Sequence, residues 1–154
     1  NIHDQLSRML KVRNFSIAFK VIGTKVFDYA FWINELQDEV PTRDVENLLA
    51  NYTLSRGTPS MIYEDGIKKI AEQQKVQLYD PLPKIWLGVI INIEGKPSGV
   101  LSVFSYQDTS TYNNKDLELM DFISGQVSLA MEREINEVRI ENQAARLRAI
   151  FESS

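Results

Sequence analysis

Apolar residues recur along this chain at two spacings, and the spacing changes several times. Residues 14–22 and 26–34 alternate with the period of two that is typical of β-strands, and the second run is strongly aromatic. Residues 1–11 instead place apolar side chains at helical spacing. A second helix is predicted from Asp44, as its N-cap, to Arg56, followed by a short strand over 58–63 and a short helix over 65–75.

Residues 86–106 predict two strands joined by a turn at Gly95-Lys96-Pro97. Neither strand shows the clean alternation of apolar and polar side chains expected of a strand that faces water on one side. One face would carry Leu87, Val89, Ile91, Ile93, Leu101 and Val103, and the other Trp86, Ile90, Val100, Phe104 and Tyr106. We therefore expect this hairpin to be covered on both faces.

The last helix is predicted from about Lys115 to Ile150, about 54 Å at 1.5 Å per residue, which exceeds the size of a compact domain. Its first part is expected to dock through Leu119, Phe122, Ile123, Val127 and Ala130. Its second part has a heptad seam formed by Met131, Ile135, Val138, Asn142, Ala145 and Ala149. A partner helix is the natural cover for such a seam, so we expect a homodimer, with Asn142 setting the register.

The order of elements predicts an α+β fold, an α/β/α sandwich. A central, mainly antiparallel sheet of five to six strands would have helices on both faces. The first and last helices would pack on one face, and the small helices would roof the other. Such a roof commonly leaves a cavity for a ligand.

Composition narrows the function further. The net charge of −4 lacks the basic face that a nucleic-acid binder needs, and no apolar run is long enough for membrane insertion. There is no cysteine, which excludes disulfides, thiolate metal sites and cysteine nucleophiles; a cytoplasmic location suits such a chain. Neither paired carboxylates nor a glycine-rich phosphate loop is evident, so we do not expect an enzyme.

Several segments resemble the GAF domain, a small-molecule-sensing module of signalling proteins. They are Asn14–Phe19, Thr53–Pro59, Pro83–Val89, Gly95–Val103 and Tyr112–Arg133. The pattern is similar to GAF domains that precede PAS domains in bacterial sensor histidine kinases, and residues 147–154 resemble the opening of a PAS domain. The resemblance implies a sensor domain over 1–137 and a coiled-coil-like helical linker over 138–154 that leads into a truncated PAS domain.

The resemblance further implies a cytoplasmic bacterial two-component system, in which this domain signals through its terminal helices to PAS and kinase domains of the same chain. Departures from known subtypes restrict the ligand. Tyr112 and Asp116 match two positions of the cyclic-nucleotide signature, but Leu117 occupies its glutamate position. Attachment of a bilin and methionine sulfoxide reduction both need cysteine, and His3 is poorly placed as a haem or metal ligand. The ligand and any cofactor stay unknown.

Candidate ligand-binding residues come from the aromatic second strand, the short strand and the hairpin. They are Phe31, Trp32, Met61, Tyr63, Trp86 and Phe104. Because Phe31 and Trp32 are adjacent, only one of them can face a pocket. Large aromatics also fill cores that bind nothing. A domain that binds no ligand and only holds two chains together is therefore the alternative, and a cyclic-nucleotide binder is the less favoured one.

Overall fold

The computed structural model describes residues 13–36 and 40–153, without the side chains of 40–43, 138–143, 146 and 153. The helix predicted over residues 1–11 lies outside the described residues. The elements are β1 (Phe15–Lys20), β2 (Phe27–Ile33), α1 (Val40–Arg56), β3 (Ser60–Tyr63), α2 (Glu64–Gln74), β4 (Ile85–Ile93), β5 (Lys96–Ser105) and α3 (Asn114–Ser153).

The strands form one five-stranded sheet in the order β2-β1-β5-β4-β3, and every neighbouring pair is antiparallel. The predicted α+β fold with a mainly antiparallel sheet is confirmed. The β4–β5 hairpin occupies internal positions of the sheet, with β1 on one side and β3 on the other.

Both faces of the hairpin are buried, as its sequence predicts. One face packs against α3, in a mainly apolar layer that includes Leu87, Val89, Ile91, Leu101, Val103, Met120, Ile123 and Val127. The other face packs against α1 and α2, in a layer that includes Val45, Leu49, Ile67, Ile70, Trp86, Val100 and Phe104. Buried serines occur in both layers, but among the described residues the buried carboxylate, Glu46, belongs to the second layer, which distinguishes the two faces chemically.

Two predicted boundaries are wrong by a few residues. Helix α1 begins at Val40, so Asp44 lies inside the helix and is not its N-cap. Pro41 falls in the first turn, where a backbone N–H would have no intrahelical acceptor. The hairpin turn consists of Glu94 and Gly95, both with positive φ (52° and 78°), and Pro97 belongs to β5.

Helix α3 has 40 residues, which corresponds to about 60 Å. It docks on the sheet through Met120, Ile123 and Val127, whereas Phe122, predicted to dock, is 65% exposed, and Ala130 is exposed as well. In the predicted heptad seam, Met131 and Ile135 are half-buried, and Ala145 and Ala149 are exposed. The side chains of the other two seam residues, Val138 and Asn142, are not among those described. Within the described residues, no helix meets the length and hydropathy that a bilayer crossing demands.

Candidate functional site

Helix α1 carries a carboxylate into the layer between itself and the sheet. Glu46 shares one helical stripe with Leu49, Ala50 and Thr53, at the i, i+3, i+4 and i+7 spacing of a buried face. All four side chains are buried, and Glu46 is only 3% exposed. The helix therefore directs an ionisable group at the centre of the sheet.

Three neighbours donate hydrogen bonds to this carboxylate. Trp86 Nε1 on β4 lies 2.7 Å from Oε1, and the Ser102 hydroxyl on β5 lies 3.1 Å from Oε2. The Ser16 hydroxyl on β1 lies 3.4 Å from Oε2 and 2.8 Å from the Ser102 hydroxyl. Burial raises the pKa of Glu46 to about 7, although these hydrogen bonds act in the opposite direction.

Small residues make room for the carboxylate. Ser16, Ser102, Gly88 and Ser60 lie side by side in register across four strands, on the face that packs against α1. A Cβ on Gly88 would stand 2.2 Å from Cη2 of Trp86, so the indole ring lies directly over that glycine. The Ser60 hydroxyl at the end of the row is buried and has no hydrogen-bond partner among the described residues.

An aromatic group adjoins this network on the same face. Trp32 is paired with Ser16 across β1 and β2, and its ring centroid lies 5.2 Å from that of Tyr29 and 6.3 Å from that of Phe104. Tyr106 meets Phe104 edge-on at 5.8 Å. Tyr29, Trp32 and Tyr106 are half-buried, so this group reaches from the core towards the surface.

Polar side chains hold the aromatic group in place. The Tyr29 hydroxyl donates to Asn47 Oδ1 of α1 at 2.6 Å, and Asn34 Nδ2 donates to the Tyr106 hydroxyl at 3.0 Å. Burial raises the pKa of Tyr106 to about 12, and the negative charges of Glu46 and Glu35 act in the same direction, against the Asn34 hydrogen bond. The electrostatic effect of Glu46 on Tyr106 connects the aromatic group to the buried carboxylate.

The six candidate residues divide between the two faces of the sheet. Trp32, Trp86 and Phe104 belong to the α1 side. Phe31 lies on the α3 side, where its ring centroid is 6.0 Å from that of Phe15. Met61 packs on the α3 side too, and the hydroxyl of Tyr63, 47% exposed, lies 3.6 Å from Met61 Sδ. Whether any of the six binds a ligand stays a prediction.

Two of the cavities among the described residues are lined in part by candidate residues. One of about 170 Å³ opens beside Phe104, lined also by Arg13, Asn14, Glu35 and Tyr112. An open groove of about 580 Å³ runs past Met61 and Tyr63. The described residues hold no cluster of three or more histidine, cysteine or acidic side chains that would suit a metal ion.

Sequence reasoning missed the centre of the site, namely Glu46, Ser16 and Ser102. Two signals could have found it: a glutamate on the apolar stripe of a predicted helix, and serines on strand faces that otherwise read as buried. The sequence alone did not indicate that Gly88 leaves room for the indole ring of Trp86.

Comparisons with known proteins bear on the fold. No protein-family model matches the chain, and no curated protein is significantly similar to it. Among solved structures, it is similar to the GAF domain region of a protein from Geobacter sulfurreducens PCA, with a TM-score of 0.50 and 16% sequence identity, over 84% of this chain and 87% of that one. At this identity the likeness concerns the fold, and the chain accordingly has a GAF-like fold.

Proposed function

We propose that this chain is the regulatory sensor domain of a bacterial signal-transduction protein, and that it binds a small molecule between α1 and the sheet. The proposal rests on one observation: the half-buried aromatic group and the buried Glu46 network adjoin each other on the face of the sheet that packs against α1. The opposite face, under α3, has a mainly apolar layer with no buried charged side chain among the described residues. Trp32, Trp86 and Phe104 are the sequence candidates that this proposal retains.

A physical argument connects the site to signalling. A ligand shifts a conformational equilibrium only if it binds one state more tightly than the other. Glu46 ties α1 to β1, β4 and β5 at once, so a ligand that alters its hydrogen bonds changes how α1 sits on the sheet. Helix α3 packs on the opposite side of the same strands, and we propose it as the output element.

The wider context follows from the sequence resemblance. We propose a sensor histidine kinase of a two-component system as the parent protein, with residues 138–154 as the linker to a PAS domain. The length of α3, at 40 residues, supports a helix that extends beyond the domain towards a partner helix or a following domain.

Thermal-shift measurements test ligand binding. We expect at least one compound from a panel of amino acids, small organic acids, amines and cyclic nucleotides to raise the melting temperature of the wild-type chain, since ligands that bind only the folded state stabilise it. Trp32→Leu should abolish the shift. Phe31→Leu is the matched control, because it removes the neighbouring aromatic ring from the opposite face, and it should retain the shift. No shift with any compound at millimolar concentration would contradict the proposal.

A second candidate function is a dimerisation module without a ligand. Leu129 and Leu147 favour it, since these α3 side chains are 58% and 56% exposed. Sedimentation equilibrium and the thermal-shift panel together distinguish the two functions. A dimeric chain whose melting temperature is not raised by any compound of the panel favours the second candidate.

A further inference from the structure

The cavity of about 170 Å³ lies at the end of the sheet where β1 begins and where β2 and β5 end. Arg13 precedes β1 by two residues, and Glu35 follows β2 by two residues. Because the first residue of β1 pairs with the last residue of β2, Arg13 and Glu35 lie at the same end of this strand pair, and both line the cavity. A cationic and an anionic side chain therefore border one small space.

A buried asparagine fixes one wall of this cavity. Asn14 is 1% exposed, and its side chain donates a hydrogen bond to the Phe104 carbonyl oxygen at 3.1 Å. The same side chain accepts a hydrogen bond from the Glu35 backbone N–H at 2.8 Å. These two hydrogen bonds tie the backbone of Glu35 to β1 and β5, so the residue that carries the carboxylate is held in place.

A buried serine fixes a second wall, which the loop after β5 forms. The Ser105 hydroxyl accepts hydrogen bonds from the Gln107 backbone N–H at 3.2 Å and from the Thr111 hydroxyl at 3.0 Å. Gln107 and Thr111 both line the cavity. A site whose walls are already ordered binds a ligand at a smaller cost in conformational entropy.

Two buried aromatic side chains, Phe104 and Tyr112, complete the lining. Burial raises the pKa of Tyr112 to about 12, and the negative charges of Asp116 and Glu35 act in the same direction. The negative field of Glu35 therefore reaches Tyr112. This field favours a positively charged group on that side of the cavity.

Size and charge together restrict the ligand. A volume of 170 Å³ is that of about six water molecules in the liquid, which suits a compound of about six heavy atoms. A guanidinium group binds a carboxylate through two parallel N–H···O hydrogen bonds, and a carboxylate attracts an ammonium group. A small zwitterion satisfies Arg13 and Glu35 at once.

We propose that this cavity binds a free α-amino acid with a small side chain, such as glycine, alanine or serine. The ligand carboxylate accepts hydrogen bonds from Arg13, the ammonium group lies towards Glu35, and the side chain contacts Phe104 and Tyr112. The inference goes beyond the proposed function, because this site is separate from the α1 face: neither tryptophan is among the described residues that line the cavity.

Four probes of similar size test the need for both ligand charges in the intact chain. They are L-alanine, propionate, ethylammonium and propionamide, each at about 10 mM and at equal ionic strength. We expect L-alanine to raise the melting temperature and the other three to leave it unchanged. No rise with L-alanine, glycine or L-serine, or an equal rise with any of the other three probes, would overturn the inference.

Arg13→Gln and Glu35→Gln each remove one charge from the cavity. Both side chains are exposed, so the variants should fold, and each should weaken the binding of L-alanine about tenfold. Lys96→Gln is the control, since it removes an exposed positive charge at the other end of β5, and it should bind L-alanine as the wild type does. Calorimetry measures the affinities. Wild-type affinity in either cavity variant, or an equal loss in the control, would overturn the inference.

Trp32→Leu distinguishes this site from the α1 face, and we expect it to retain the rise in melting temperature with L-alanine. If Trp32→Leu abolishes that rise and Arg13→Gln retains it, alanine binds at the α1 face. That outcome supports the proposed function and overturns this inference. A rise that is lost in Arg13→Gln and Glu35→Gln alone supports the amino-acid site, and the wider panel then tests the α1 face independently.

Discussion

Glu46 is the residue on which the chemistry of the α1 face depends. A carboxylate on the buried stripe of a helix is unfavourable unless its hydrogen bonds are satisfied, and here Trp86, Ser16 and Ser102 supply them. Burial nevertheless has the larger effect and raises the pKa of Glu46 in the folded chain to about 7, compared with an ordinary value of 4.5. Folding and protonation are therefore linked at this one side chain.

The linkage predicts how stability changes with pH. Because the folded state holds a proton that the unfolded state has released, raising the pH from 4.5 to 7 favours unfolding, and the penalty is fully present above pH 7. Glu46→Gln does not titrate. Between pH 4 and pH 8, the free energy of unfolding of the wild type should therefore fall by about 3 kcal/mol relative to that of Glu46→Gln. Urea denaturation at both pH values measures this, and a difference independent of pH would contradict it.

At the scale of the elements, irregularities in the strands determine which side chains meet. A bulge between β1 and β2 shifts the register after Ile17, so Tyr29 and Trp32, three positions apart, both belong to the α1 layer. Strict alternation would have placed Tyr29 on the same face of the sheet as Phe31. In β4, Gly88 leaves the space in which the indole of Trp86 lies.

A methyl group at Gly88 should therefore disturb the whole layer. We expect Gly88→Ala to destabilise the chain by about 2–5 kcal/mol, since the indole must move and its hydrogen bond to Glu46 is lost. Gly125→Ala in α3 is the control: nothing lies within 4 Å of its Cβ, and alanine should stabilise the helix by about 1 kcal/mol. Chemical denaturation compares the two variants. A loss below about 0.5 kcal/mol for Gly88→Ala, no more than a surface substitution causes, would contradict the packing argument.

At the scale of the whole molecule, the sheet separates a packing face from a chemically distinct one. The sequence predicted the element order, the antiparallel sheet and the burial of both hairpin faces, because these follow from local periodicity. It did not predict the pairing of Ser16 with Ser102, the aromatic grouping across β2, β1 and β5, or the position of Glu46. Those depend on strand register, a bulge and the approach of α1, which bring together residues distant in sequence.

Tryptophan fluorescence tests the central claim that the α1 face binds the ligand. The chain has two tryptophans, Trp32 and Trp86, and both lie on that face. Titration with the compound that gives the largest thermal shift should change the emission with a saturation curve that matches the stabilisation, and Trp32→Phe should remove most of the change. Stabilisation by that compound with no change in the emission of either tryptophan would contradict the account.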